Sequence, residues 1–234
     1  MNSTKILYQF NTLGALMAGL YDGNFSLSAA RAHGDFGIGT FHEVDGEMIV
    51  LDDMIYQATG DGNLAAVKKI TDLSQKVPYI ALTNFEPADG FDFSGNESDI
   101  RAHLQTENLF YALKLTGIFS MMQVRMAPRT PSGMPFDRVA ENQPEFTREK
   151  IAGTVLGFFT PELFNGISAA GLHLHFISAD KTFGGHAMAF AADKATLELM
   201  ALDKLEQEFP SADTAFLAAK LDVKTIQQAI DSAE

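Results

Sequence analysis

The chain contains no cysteine and no tryptophan. Without cysteine there is no disulfide, no thiol nucleophile and no thiolate ligand, so any metal must be held by nitrogen or oxygen. Basic residues are also scarce: 17 Lys and Arg stand against 30 Asp and Glu, a formal net charge of −13. That balance argues against nucleic acid as a partner, since a phosphate backbone demands basic patches, and equally against an anionic membrane surface. A small anionic substrate stays admissible where a cation and an arginine reverse the field locally. The apolar run near the N-terminus is broken by Gln9 and Asn11, is too short to span a bilayer and lacks a small-residue cleavage site. The expected location is therefore the cytoplasm. Internal repeats, a Walker loop and a G-x-G-x-x-G fingerprint are absent too; Gly37-Ile38-Gly39 sits in a strand pattern with no helix behind it.

What is present points to a packed globular chain. Its 234 residues are 46% apolar and include 19 phenylalanines, enough for one large domain or two closely packed lobes. Strand patterns dominate. Ile6 to Phe10 reads as a strand, with Thr12 placed to cap a helix behind it and Ser26 a second one. From Phe36 a meander follows, with turns at Asp45-Gly46, Asp52-Asp53 and Gly60 to Asn63, and Glu47 opening its second strand. Further strands are expected at Val77 to Phe85, Leu109 to Met126 with a turn at Thr116-Gly117, Ile151 to Thr160 and Thr196 to Phe209. Ser211 and Asp222 stand where the caps of late helices belong. Residues 128–148 hold four of the eight prolines and read as a long surface loop. The expected class is α+β, with two closely packed lobes of mixed and antiparallel sheet, approximately 1–127 and 149–234, joined by that loop.

The chemistry gathers in Gly171 to Phe190, GLHLHFISADKTFGGHAMAF, which holds three of the six histidines. Apolar and polar positions alternate from Leu172 to Phe176, so His173 and His175 share one face of a strand. Turn formers follow, and Gly184-Gly185 opens a second apolar run at His186. If the two runs pair as a hairpin, three imidazoles converge and can bind a catalytic metal with a position left open. Solvated histidines produce the same spacing. Two other classes share the pattern: a cupin-like metal-dependent oxygenase or isomerase, which normally carries a glutamate where this chain has Ser178 and Ala179, and a non-catalytic metal- or ligand-binding protein. His33, His42 and His103 are expected to be structural or exposed.

The segments HGDFGIGTFHEVDGEMIVLD, VPYIALTNF, NLFYALKLTGIF, GTVLGFFTPELFNGISAAGLHLHFISADKTFGGH and the terminal IDSAE together resemble, in the same order, the bacterial α-acetolactate decarboxylase family. The resemblance implies a two-lobed enzyme, usually a homodimer, that converts 2-acetolactate into acetoin and carbon dioxide without an organic cofactor. It implies zinc on His173, His175 and His186, serving as Lewis acid for an enediolate. It also implies an arginine at Arg125 and glutamates at Glu47 and Glu234, one of which delivers the proton. Composition and spacing alone do not separate a decarboxylase from a zinc hydrolase, because both want a Lewis acid beside one acidic group.

Overall fold

A computed structural model describes residues 4–61, 64–87 and 89–222, together with 224, 226, 227 and 230. In chain order the elements begin with β1 (Ile6–Phe10), α1 (Leu13–Met17), β2 (Phe25–Ser26) and α2 (Leu27–Ala30). The meander β3 (Phe36–Thr40), β4 (Glu47–Leu51), β5 (Met54–Asp61) and β6 (Leu64–Ile70) comes next. Then follow β7 (Lys76–Val77), β8 (Tyr79–Thr83), β9 (Gly90–Asn96), α3 (Glu97–Ile100) and the long β10 (Phe110–Arg125). The last part holds α4 (Phe136–Ala140), β11 (Glu145–Thr160), β12 (Gly171–Ser178), β13 (Gly184–Leu202), β14 (Lys204–Glu208) and α5 (Thr214–Ala218). The protein is mixed α+β, mostly sheet with few and short helices.

Seven strands form one sheet in the order β14-β1-β8-β3-β4-β5-β6, and five form another in the order β10-β11-β12-β13-β9. Strand β10 also pairs with β13, so β10, β11, β12 and β13 close into a ring of pairings. The main core lies between the sheets: Phe36, Ile38, Ile49 and Leu51 pack with Leu115, Met122, Phe176 and Leu197. The opposite face of the large sheet buries Met48, Val50, Ile80 and Leu82 under Phe25, Leu27 and Ala30. Both faces of β4 are thus covered, which is why its text EMIVL is apolar without alternation. By parity, Glu47 lies on the same face as Ile49 and Leu51, directed at the second sheet.

Local signals were legible where the bond is local. Thr12 and Ser26 cap α1 and α2 by accepting from Ala15 N–H and Ala29 N–H. Other expectations need correction. No turn breaks β10 at Thr116-Gly117, where Gly117 pairs with Gly153 on one side and Ala195 on the other. A Cβ on Gly117 would meet Lys194 O at 2.3 Å, so this glycine serves close strand approach rather than a turn. The stretch from Thr196 to Phe209 is the end of β13 and then β14, and α5 is capped by Asp213 rather than Ser211. Residues 128–148 contain α4 and the start of β11. The sheets do not divide there: β9 and β10 precede the segment yet lie in the five-stranded sheet, and β14 follows it yet joins the large one. Strands β6 and β9, both at sheet edges, were not anticipated. Among the described residues no helix is long and apolar enough to cross a membrane.

Candidate active site

Strand register assembles the site as two facing rows. On the five-stranded sheet His175 lies directly opposite His186, and His186 lies directly opposite Arg125. Directly opposed residues project to the same side, and His173 joins them two residues along β12. On the large sheet Tyr79 opposes Thr40, and Thr40 opposes Glu47. All seven residues line one cavity between the sheets, which Leu13, Leu16, Met17, Val44 and Phe136 close with an apolar wall. Four of the sequence-derived candidates, His173, His175, His186 and Arg125, therefore meet a fifth, Glu47, across the intersheet space. Glu234 lies outside the described residues.

Two backbone features put these side chains in place. Gly185 has φ +153, and a Cβ there would lie 2.7 Å from Arg125 O, so the residue before His186 must be glycine for β13 to pass β10. Between Thr40 and Glu47 the chain makes a turn with Glu43 at φ 61 and Val44 at φ 46. Positive φ is strained for a β-branched residue, and the surroundings hold it. Glu43 N–H donates to Tyr21 O at 2.9 Å, Thr130 N–H to Glu43 O at 2.7 Å, and Gly46 N–H to Ala127 O at 3.1 Å. Arg129 pairs with the Glu43 carboxylate at 2.6 Å. The Thr40 hydroxyl donates to Gly46 O at 2.8 Å, which closes the turn beneath Glu47.

The electrostatics suit a cation. His175 Nδ1 lies 2.8 Å from Met48 O. A carbonyl only accepts, so Nδ1 carries the proton and the Nε2 lone pair faces the cavity. That Nε2 is buried and has no hydrogen-bond partner among the described residues. The ligating nitrogens of His173, His175 and His186 lie within 4.8 Å of one another, an arrangement that can hold a metal ion. Burial lowers all three imidazoles, His175 to about 4 against the opposing pull of Met48 O. His173 and His186 fall well below their ordinary value, first through burial and then through their imidazole neighbours and Arg125. Neutral imidazoles are the form that ligates.

Glu47 shows the opposite shift. Burial pushes its carboxyl up to about 7, although the Ala127 N–H and the Arg125 charge both favour the carboxylate. Ala127 N–H donates to Oε1 at 3.1 Å, and Oε2 lies 3.5 Å from His175 Nε2. With His175 neutral this last approach is a polar contact rather than an ion pair. Arg125 is itself only 8% exposed, a buried positive charge facing the cluster in an otherwise acidic protein. The arrangement can bind a small anion, stabilise negative charge on its oxygens and supply a proton.

Titration of the cluster sets a stability profile for the metal-free protein. Each lowered histidine binds fewer protons folded than unfolded, so its contribution falls as pH drops below about 6.5. Glu47, raised to about 7, acts in the opposite sense between its ordinary 4.5 and 7. Three histidines outweigh one glutamate, so the metal-stripped protein is expected to lose stability between pH 6.5 and 5. Urea titrations in the presence of chelator check this, with a shallower slope expected for His186→Ala; a flat profile would contradict the neutral triad.

Sequence reasoning passed over Tyr79, Val44, Phe136 and Gln143, which also line the cavity. Nothing local marks them: strand register brings in Tyr79, the turn between Thr40 and Glu47 brings in Val44, and α4 and the segment just beyond it bring in Phe136 and Gln143. Of the remaining histidines, His33 stacks on Tyr8, His42 accepts from Gly23 N–H, and His103 packs on Phe91 and Phe93.

A mixed α+β protein whose two sheets bring together three imidazoles that can hold a metal ion, a buried arginine and a carboxyl raised to about 7 has a site suited to binding and transforming a small anion. The family profile of alpha-acetolactate decarboxylase matches residues 7–223. The alpha-acetolactate decarboxylase of Lactococcus lactis subsp. lactis is 48% identical over 242 aligned residues, which cover 100% of both chains. A Staphylococcus aureus structure described as similar to alpha-acetolactate decarboxylase superposes with a TM-score of 0.92 at 37% identity, over 98% of this chain and 100% of that one. The Bacillus subtilis strain 168 alpha-acetolactate decarboxylase gives 0.91 at 31% identity, over 98% and 99%. The chain belongs to the alpha-acetolactate decarboxylase family.

Proposed function

We propose that the protein decarboxylates 2-acetolactate to acetoin and carbon dioxide, with zinc on His173, His175 and His186. The observation that carries this is the convergence of those imidazoles with Arg125 and Glu47 in one buried cavity, in a chain of this family. Zinc, when bound, supplies Lewis-acid stabilisation of negative charge on oxygen. The remaining work falls to the chain. The planar donor fork of Arg125 holds the substrate carboxylate against the acidic background. The bond from that carboxylate to the hydroxyl-bearing carbon breaks, carbon dioxide leaves, and the electron pair spreads into the neighbouring ketone as an enediolate. The apolar wall of Leu13, Leu16, Met17 and Val44 accepts the two methyl groups and excludes water. A protonated glutamate then delivers its proton to the carbon that lost the carboxylate, which completes acetoin.

Glu47 and Glu234 are the two acids for that step. Support for Glu234 comes from the packing just before it. Ile230 is buried and Ile226 partly so, both in the cluster of Leu13, Leu16, Met17 and Val44 that also walls the cavity. Glu234 is four positions beyond Ile230 in the chain, a span of at most about 14 Å. Removal of Glu234 alone is expected to slow turnover at least tenfold while leaving the melting temperature unchanged; full activity in the shortened chain removes it from the mechanism. The reading also carries a homodimer, which light scattering checks at twice the chain mass.

Incubation of the purified protein with acetolactate is expected to yield acetoin and carbon dioxide in equal amounts. Chelation stops the reaction and added zinc restores it. Absence of acetoin from zinc-loaded protein overturns the proposal, and uptake of dioxygen without acetoin favours the cupin-like alternative.

A further inference from the structure

Gln143 contributes a second kind of polar group to the cavity. It lies just beyond α4, where its N–H donates to Ala140 O at 3.3 Å, and it precedes Pro144, which restricts its backbone. Two residues later Glu145 pairs with Arg125 across β10 and β11, so the side chain enters the cavity beside the arginine end of the histidine row. Its Oε1 is shielded from solvent and has no hydrogen-bond partner among the described residues. A buried amide oxygen without a donor is costly, and one placed at the wall of a binding cavity marks where a ligand donor belongs.

We infer that Gln143 is the acceptor for the substrate's tertiary hydroxyl and so positions the carbon that loses carbon dioxide. The assignment rests on the decarboxylase reading and follows from complementarity. An amide oxygen only accepts. Acetolactate offers three oxygen functions, of which the carboxylate and the ketone are acceptors as well and would repel it. The hydroxyl is the one donor on the molecule. It remains a donor in the enediolate and in acetoin, so the same hydrogen bond persists through the reaction. The neighbouring hydroxyls are turned elsewhere: Thr40 donates to Gly46 O, and Tyr79 donates to Gln9 Oε1 at 3.2 Å. Gln143 is thereby a specificity residue, one that separates 2-hydroxy-3-oxo acids from 3-oxo acids that lack the hydroxyl.

The test uses two stable carboxylates that differ only in this group, 2-hydroxy-2-methylbutanoate and 2-methylbutanoate. Their dissociation constants are measured by calorimetry on zinc-loaded protein. The unsubstituted protein is expected to prefer the hydroxy acid, and Gln143→Met to lower that preference about tenfold, the worth of one neutral hydrogen bond. Binding of 2-methylbutanoate stays within about twofold across the same pair of proteins. Gln143→Asn, which keeps a carboxamide but withdraws it by one methylene, lowers the preference as well and covers the case in which the methionine variant does not fold. Equal weakening of both acids would mean that the amide donates to the carboxylate, and an unchanged preference would mean that it faces water; either result overturns the inference. Failure of the decarboxylase reading is seen separately, as absence of acetoin from the unsubstituted protein.

Discussion

Replacement of His175 by alanine is expected to remove bound zinc and to bring acetoin formation below detection. His175 is the most buried of the three imidazoles, 1% exposed, paired directly with His186 and held in one tautomer by Met48 O. Two remaining imidazoles make an incomplete set for a cation that prefers three or more protein ligands at a catalytic site. Elemental analysis should fall from about one zinc per chain to under a tenth of that. The substitution also leaves Met48 O without its donor and opens space in the core, which together cost about 2–4 kcal/mol of stability. Circular dichroism and a urea titration separate this loss from unfolding. A full equivalent of zinc retained by His175→Ala would mean that the metal is held elsewhere.

For Glu47→Gln the expected result is a fall in kcat of about 10²–10⁴-fold with zinc content and KM little changed. Glutamine has the same shape and keeps an acceptor for the Ala127 N–H, so the turn above Thr40 is preserved. What it lacks is the proton. In the unsubstituted enzyme the carboxyl raised to about 7 is the acid form below that pH. Turnover is therefore expected to decline as pH rises through this range, with a bound cation drawing the limb lower. The alkaline limb is absent from the residual activity of Glu47→Gln if Glu47 is the donor. Persistence of the limb, with a small loss of kcat, would transfer the proton to Glu234 and leave Glu47 to orient the zinc-side groups.

Legibility of the site in the sequence followed the range of the interactions. The alternation in GLHLHF announced β12 because side-chain direction along a strand repeats every two residues. The caps at Thr12 and Ser26 were equally readable, since each bond spans three residues. Gly184-Gly185 opens the second apolar run, and the structure shows a reason for Gly185, the passage of β13 against β10. Edge strand β9 takes its register from β13, distant in sequence, so nothing local announces it; β6 pairs with its neighbour β5, but its text LAAVKKI mixes small and basic residues without a clear apolar alternation. Composition marked residues 128–148 as loop through their prolines, yet α4 within them covers the cavity with Phe136, and Gln143 follows it. Neither residue belongs to a motif, and only packing brings them to the histidines.

By itself the sequence determined the types of chemistry available: nitrogen and oxygen ligands in the absence of cysteine, an acidic surface with one arginine in an apolar strand, and a family pattern linking Glu47 and Arg125 to the three histidines. Those are properties of composition and of order along the chain. The tertiary structure alone decided that Arg125, His186 and His175 form one cross-strand row, that Glu47 faces them from the other sheet, and that burial leaves the imidazoles neutral and the carboxyl protonatable near pH 7. The reason is physical. Register between strands far apart in sequence places the charges, and the desolvation that tunes them exists only after the two sheets have closed over the site.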